Sequence, residues 1–208
     1  MRVKEIGDFG RFAVWLQICR KAGEPEGGLV RPICECMMKS SERIIDELLV
    51  LRCQDGDRQA FEELVERWQE RLWRHARVLT GDQDAAWDAV QETWLAVVNG
   101  LKRLSDPAAF PKWVYKIVNG KCVDWIRKRQ RMRKFEQAPD REQASEGHDS
   151  LGFALARLPV DQRELISLHY SEGYSVAEMA EILDVPEGTV KSRLFAAREQ
   201  LRKMMESS

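Results

Sequence analysis

Large apolar residues recur at three- and four-residue intervals over long stretches of this chain, and that period restricts its fold more than any other feature. Phe61, Leu64, Val65, Trp68, Leu72, Ala76 and Leu79 share one side of a helix that stops at Gly81. Trp87, Val90, Trp94, Val97, Val98 and Leu101 form a second stripe. Phe110, Trp113, Val114, Ile117, Val118 and Trp125 form a third, after a break at Ser105-Asp106-Pro107 that places proline at a helix start. An earlier segment, Ser41 to Cys53, carries Ile44, Ile45, Leu48, Leu49 and Leu51 at helical spacing and ends at Asp55-Gly56-Asp57. Side chains patterned this way cannot settle as strands. No Val/Ile/Thr alternation argues for a sheet, so the expected fold is all-α.

The chain has 208 residues, enough for one ordinary domain or two small ones. Residues 135–150 hold five acids, one arginine and almost no large apolar group. Such a segment buries too little surface to offset its ordering entropy and reads as a flexible linker. The expected organisation is a poorly ordered extension over 1–40, a helical bundle over 41–134, the linker, and a second helical domain over 151–205. All but one of the seven tryptophans fall in the bundle, where large aromatics supply the burial a small core needs. No apolar run approaches the roughly 20 residues of a membrane span, and no secretory cleavage pattern is present. The five scattered cysteines point to a reducing, cytoplasmic setting.

Lys+Arg 33 nearly cancels Asp+Glu 34, so any nucleic-acid role must come from local segregation of charge. Two segregated surfaces occur. Asp82, Asp84, Asp88 and Glu92 cluster toward the start of the second stripe's helix. The helix dipole accounts for the first two. Asp88 and Glu92 repel each other at i, i+4, which fits a partner surface. From Lys112 to Lys134 there are nine positive residues and one acid, Asp124. Lys112, Lys116, Asn119 and Arg127 are expected opposite the Trp113/Ile117 stripe, with Lys128 beside them, a face suited to phosphates. Lys121 is expected to point along the apolar stripe.

In the second domain, Leu151, Leu155 and Leu158 end one short helix, and Asp161 to about Tyr170 forms the next. Ser175-x-x-Glu178 is a capping box ahead of Val176, Met179, Ala180, Ile182 and Leu183. The tight connection Asp184-Val185-Pro186 leads into a helix from about Glu187 to Met204. Two helices joined so closely, the second basic on its free face, make a helix-turn-helix. Lys191 can donate to guanine, Ser192 to either kind of base, and Phe195 can meet a thymine methyl, with Arg193 and Arg198 flanking. Thr189 and the open N–H groups of the first turn can hold a phosphate.

The stretch from Asp84 through Asp88, Gln91, Glu92 and Trp94 to Leu95, followed by Phe110 to Asn119, resembles region 2 of bacterial RNA polymerase sigma factors. Gly173 to Ser175, and Val185 through Thr189, Lys191 and Arg193 to Arg198, are similar to their region 4. With only a linker between the two, the chain is most similar to the extracytoplasmic-function (ECF) group of the sigma-70 family, over about residues 41–205. The resemblance implies that Asp88, Gln91 and Glu92 dock on the clamp helices of the polymerase's largest subunit. It implies that Lys112, Lys116, Asn119, Arg127 and Lys128 face the minus-10 element, and that the Leu101–Pro107 loop captures an extruded base. By the same resemblance, Thr189, Lys191, Ser192, Arg193, Phe195 and Arg198 face the minus-35 element, and an anti-sigma factor is a partner. Trp87 stands where the family usually has an acid, Gly120 interrupts the minus-10 helix, and Ala196 offers no donor. Residues 1–37 have no family counterpart: a disordered extension, a regulatory arm, and upstream sequence ahead of a start at Met38 are the alternatives.

Two other function classes remain open at this point. A helix-turn-helix regulator acting without polymerase would bind duplex DNA tightly alone, which a gel shift with and without core enzyme distinguishes. A metal protein would use Cys34, Cys36 and Cys19, which lack the paired spacing of a structural zinc site. His75, His148 and His169 are isolated, and no nucleophile–base pair or phosphate-cradling glycine loop is present, so neither catalysis nor a cofactor is expected.

Overall fold

The computed structural model describes residues 33–136 and 154–206, with side chains from 42–132 and 154–206. The expected linker and the Cys19/Cys34/Cys36 group lie outside the described side chains. Every described regular element is helical. In order they are α1 (Ile33–Gln54), α2 (Arg58–Thr80), α3 (Gln83–Gly100), α4 (Phe110–Glu136), α5 (Val160–Ile166), α6 (Val176–Leu183) and α7 (Glu187–Glu206). Two short 3-10 turns, Leu101–Arg103 and Pro107–Ala109, connect α3 to α4. None of the described helices is long and apolar enough to cross a membrane.

Local chemistry sets the boundaries. Asp57 caps α2 by accepting from Ala60 N–H, and Gly81 ends it at φ 69° while its own N–H returns to Arg77 O. Asp82 caps α3 through Ala85 N–H. Gly100 ends α3 where a side chain is excluded, since an added Cβ would lie 2.8 Å from the Trp113 ring. Ser175 and Glu178 form the reciprocal capping box of α6. Asp184 then turns the chain at φ 55°, a left-handed conformation that Asp tolerates better than most residues.

Behind α4, Trp68 of α2 is the centre of the first core, edge-to-face with Phe110 at 5.4 Å and Tyr115 at 6.0 Å. Leu64, Leu72, Leu79, Val90, Val97, Val114 and Val118 complete it. Leu165, Leu168, Met179, Ile182, Val190, Leu194 and Leu201 build the core of α5–α7.

Three expectations about the helices are corrected. On α1 the residues turned inward are Asp46, Leu49 and Val50, while Ile44, Ile45, Leu48 and Leu51 are exposed. The reason is polar: Asp46 is buried because Arg67 Nε of α2 donates to it at 2.9 Å, which fixes the rotation of the helix. On α3 Val98 is exposed and Val97 takes the inner position. Gly120 does not interrupt α4, which runs unbroken past it.

Residues Ser41–Ser208 form one compact unit. Within it α5 and α6 pack on α2 and α4. Ser167–Ser171 continues α5 as a π-helical turn, the rare geometry that arises where one extra residue must be absorbed. It buries Ser167 and Leu168, and Ser167 reaches His75 of α2.

Candidate functional site

Three surfaces carry the candidate residues, on α3, α4 and α7. On α3, Asp88, Gln91 and Glu92 are all exposed. Leu95 and Val98 continue the same face and are 65% and 58% exposed. Acids and large apolar groups thus form one outward stripe, at offsets of three, four, seven and ten from Asp88. Leu95 and Val98 were not among the expected binding residues. Their signal was available, because they extend the Asp88/Gln91/Glu92 face by helical spacing. Glu92 is paired with Lys121 Nζ at 3.0 Å, so Lys121 reaches across to α3 instead of lying along the apolar stripe.

The 101–107 connection is held from behind by Gln54, a residue the sequence did not single out. Its Nε2 donates to Leu101 O at 2.9 Å and to Leu104 O at 2.7 Å. Asp106 caps the following turn through Ala108 N–H. Lys102 and Arg103 are left exposed at the tip.

The α4 surface differs from expectation at its centre. Arg127 and Lys128 are exposed, with Arg127 near Asp124 at 3.9 Å. Asn119, expected to face outward, is 6% exposed. Its Oδ1 accepts from His75 Nε2–H at 2.6 Å, and Ser167 Oγ–H donates to the other ring nitrogen, Nδ1, at 2.8 Å. This assigns the neutral tautomer with the proton on Nε2, because an amide oxygen can only accept. Burial holds the imidazole below its ordinary pKa, with the Asn119 bond pulling the other way. Asn119 Nδ2 is buried without a partner.

Lys112 pairs with Glu181 of α6. Lys116 lies 4.0 Å from Asp184, and Arg43 of α1 pairs with Glu178 at 2.8 Å. Pairs this exposed contribute about 0–1 kcal/mol each. Stronger contacts lie deeper. Arg71 Nε donates to Glu172 at 3.0 Å, with Glu172 3% exposed, and the Arg71 guanidinium sits 4.4 Å over the Trp68 ring. Tyr115 meets Tyr174 edge-to-face at 5.4 Å.

The α7 surface matches the sequence reading at its first turns. Lys191 and Ser192 are exposed and Phe195 is 63% exposed. Lys191 lies 3.6 Å from Glu187, and Ser192 Oγ donates to Thr189 O at 3.0 Å. The flanking arginines already have partners. Arg193 lies 3.5 Å from Asp161, and Arg198 Nε donates to Tyr170 Oη at 2.7 Å. Among the described residues no group of His, Cys, Asp and Glu could hold a metal ion.

Comparison with known proteins matches both halves. Residues 64–132 fit the model for sigma-70 region 2 and residues 148–201 that for sigma-70 region 4. The ECF RNA polymerase sigma factor SigM of Mycobacterium tuberculosis is 35% identical over 158 residues, covering 72% of this chain and 79% of SigM. Among solved structures, CnrH in complex with the cytosolic domain of CnrY matches with TM-score 0.62 and 25% identity, over 79% of this chain and 99% of CnrH. The sigma factor RpoE in complex with the anti-sigma factor NepR, from Bartonella quintana, matches with TM-score 0.61 and 25% identity, over 70% and 96% of the two chains.

Proposed function

The chain belongs to the ECF group of the sigma-70 family of RNA polymerase sigma factors, and on that footing we propose how its surfaces divide the work of initiation. As a sigma factor it directs core polymerase to a promoter class. The polymerase performs the covalent chemistry; this chain recognises, positions and helps open DNA in the cytoplasm. The observation that carries the division is the presence of both family segments in order in one chain, each with an exposed face of distinct chemistry.

The module over 41–134 docks on the clamp helices of the polymerase's largest subunit through Asp88, Gln91 and Glu92. Leu95 and Val98 supply the apolar part of the contact that carboxylates alone cannot. Lys112, Lys116, Arg127 and Lys128 meet the minus-10 strand, Asn119 joins them only where its bond to His75 is broken, and the 101–107 loop receives an extruded base. Unstacking that base costs a few kcal/mol, which stacking and pocket contacts offset. The module over 151–205 places α7 in the major groove at minus-35. Lys191, Ser192 and Phe195 read base edges there, while Thr189, Arg193 and Arg198 position the backbone. An anti-sigma factor restrains the chain until it is needed. Both solved neighbours are complexes with a second protein, in the case of RpoE the anti-sigma factor NepR, which supports this.

Reconstituted transcription tests the proposal. Purified chain added to core enzyme should produce a defined set of promoter-specific starts, and Asp88→Arg should abolish core binding with the helical content unchanged. Wild-type core affinity in that variant would remove Asp88 from the docking surface.

A further inference from the structure

We propose that Gln54, at the carboxy-terminal end of α1, is a positioning residue for base capture: it holds the 101–107 connection in the form that receives an extruded base. The proposal rests on the reading of that connection as the capture loop. The Gln54 side-chain amide has two N–H donors. One meets Leu101 O at 2.9 Å and the other Leu104 O at 2.7 Å, 47 and 50 positions along the chain. Leu101 O also accepts from Leu104 N–H at 3.1 Å, which closes the 3-10 turn. Leu104 then leaves the turn in an extended conformation, at φ −72° and ψ 104°. Both carbonyls are thus drawn toward α1, while Lys102, Arg103, Ser105 and Asp106 are left exposed.

The aim of Gln54 is set by the helix that carries it. Asp46, Val50 and Gln54 recur at i, i+4 and i+8 and share one side of α1. Arg67 holds Asp46, and Val50 is fully buried, so the pair that fixes the rotation of α1 also points Gln54 at the loop. The turn that follows is stiff. Arg52 donates to Asp57 through Nε at 2.9 Å and Nη2 at 2.7 Å, and Asp57 caps α2. The ends of the connection are anchored separately, Gly100 against the Trp113 ring and Asp106 through Ala108 N–H. Gln54 grips the stretch between those anchors, where a base would enter. A loop that is ordered only when its ligand arrives loses affinity to that ordering, and a loop already held loses less. Gln54 therefore strengthens binding only when a base is captured. A strand with no base at that position gains nothing from it.

Gln54→Met keeps the length of the side chain and removes both donors, without opening a cavity. Holoenzyme is assembled from core enzyme and the full chain, parent or variant. It is titrated with a fluorescent single strand of roughly 20 nucleotides, taken from the minus-10 region of a promoter that the parent uses. A series of the same strand carries one abasic position, moved along it. On the intact strand the variant should bind about three- to ten-fold more weakly, the factor to which the net worth of one hydrogen bond corresponds. At one abasic position the two proteins should agree within about a factor of two, and elsewhere the difference should persist. Equal binding of the intact strand overturns the proposal. So does a loss of the same size at every abasic position, because a merely structural residue would weaken all strands alike. The loop reading is examined by the parent alone: if its affinity falls at no abasic position, no base is captured and the premise itself fails.

Discussion

On α4, Lys112 and Lys116 lie against Glu181 and Asp184 and Asn119 is buried against His75 of α2, whereas Lys191, Ser192 and Phe195 on α7 face solvent. The two helices carry the candidate DNA contacts of one protein, yet one set is committed within the fold and the other is available. On α4 one candidate, Asn119, also holds the buried His75 ring, so it cannot be changed without a cost in stability. On α7 the two tasks are separated by helix face: Val190, Leu194, Ala197 and Leu201 are buried and the readers are not. Substitutions on the two helices should therefore differ in kind.

The largest expected effect lies in the core that positions α4. Trp68 is 1% exposed and touches both Phe110 and Tyr115 of α4. Trp68→Ala should cost about 3–5 kcal/mol in urea unfolding, the range for deleting a fully buried aromatic. A cost below about 1 kcal/mol would mean that α4 is held chiefly by its contacts with α3 and α6.

Next comes Glu164 on α5, whose charge reaches Cys122 of α4 and interacts with Arg193 of α7. Burial, with Asp161 adding to it, pushes its carboxyl from 4.5 to about 7. Between those values the folded chain keeps a proton that the unfolded chain has lost, so this group makes stability fall as pH rises through the window. Glu164→Gln should remove that loss and gain on the order of 1–3 kcal/mol over the parent at pH 8, with little gain at pH 4. His75 works in the opposite sense. Its pKa is depressed by burial, so its contribution is lost as pH falls below the ordinary value of 6.5. Denaturant midpoints of parent and variant across this range resolve the two slopes. A pH-independent effect of Glu164→Gln would show that the carboxyl is not desolvated.

A matched pair sharpens the contrast directly. Asn119→Ala leaves the buried His75 Nε2–H without an acceptor and should cost about 1–3 kcal/mol of stability. Phe195→Ala removes an exposed ring and should change stability by less than about 0.5 kcal/mol, while weakening promoter binding by polymerase holoenzyme at the minus-35 element. Equal stability losses in the two variants would contradict the separation of tasks on α7.

How far these differences could be read from sequence depends on what each helix touches. The α7 face was legible because its apolar stripe and its basic face are both set within one helix and its near neighbour. The capping box, a purely local device, was legible for the same reason. The α1 face was not, since both sides of that helix carry aliphatic residues and the rotation is decided by Asp46 meeting Arg67, a residue twenty-one positions away. Asn119 was placed outward because a helical wheel assumes one buried side. Here α4 has two, one against the first core and one against α6. His75, which holds Asn119, is met in turn by Ser167 of the π-helical turn, a geometry with no periodic signature. Leu95 and Val98 show the converse. Val98 leaves the stripe expected to turn inward and joins Leu95 outside, and exposed aliphatics on a helix bearing Asp88 and Gln91 are what a partner surface looks like.

The smallest effect has the opposite sign. Gly120 lies in the unbroken middle of α4, is exposed, and an added Cβ would meet nothing within 4 Å. Nothing in the fold requires glycine there, and its backbone freedom opposes helix formation. Gly120→Ala should stabilise the chain by about 0.5–1 kcal/mol, visible as a raised urea midpoint with unchanged slope. It sits next to Asn119 on the helix proposed to bind the opened strand, so the same variant tests whether that helix must bend. If α4 works as the unbroken helix that it forms, promoter opening by holoenzyme carrying Gly120→Ala should match the parent. Should opening fall while stability rises, the glycine serves a bend that α4 makes only with DNA, and α4 would then differ from α7 in shape as well as in accessibility.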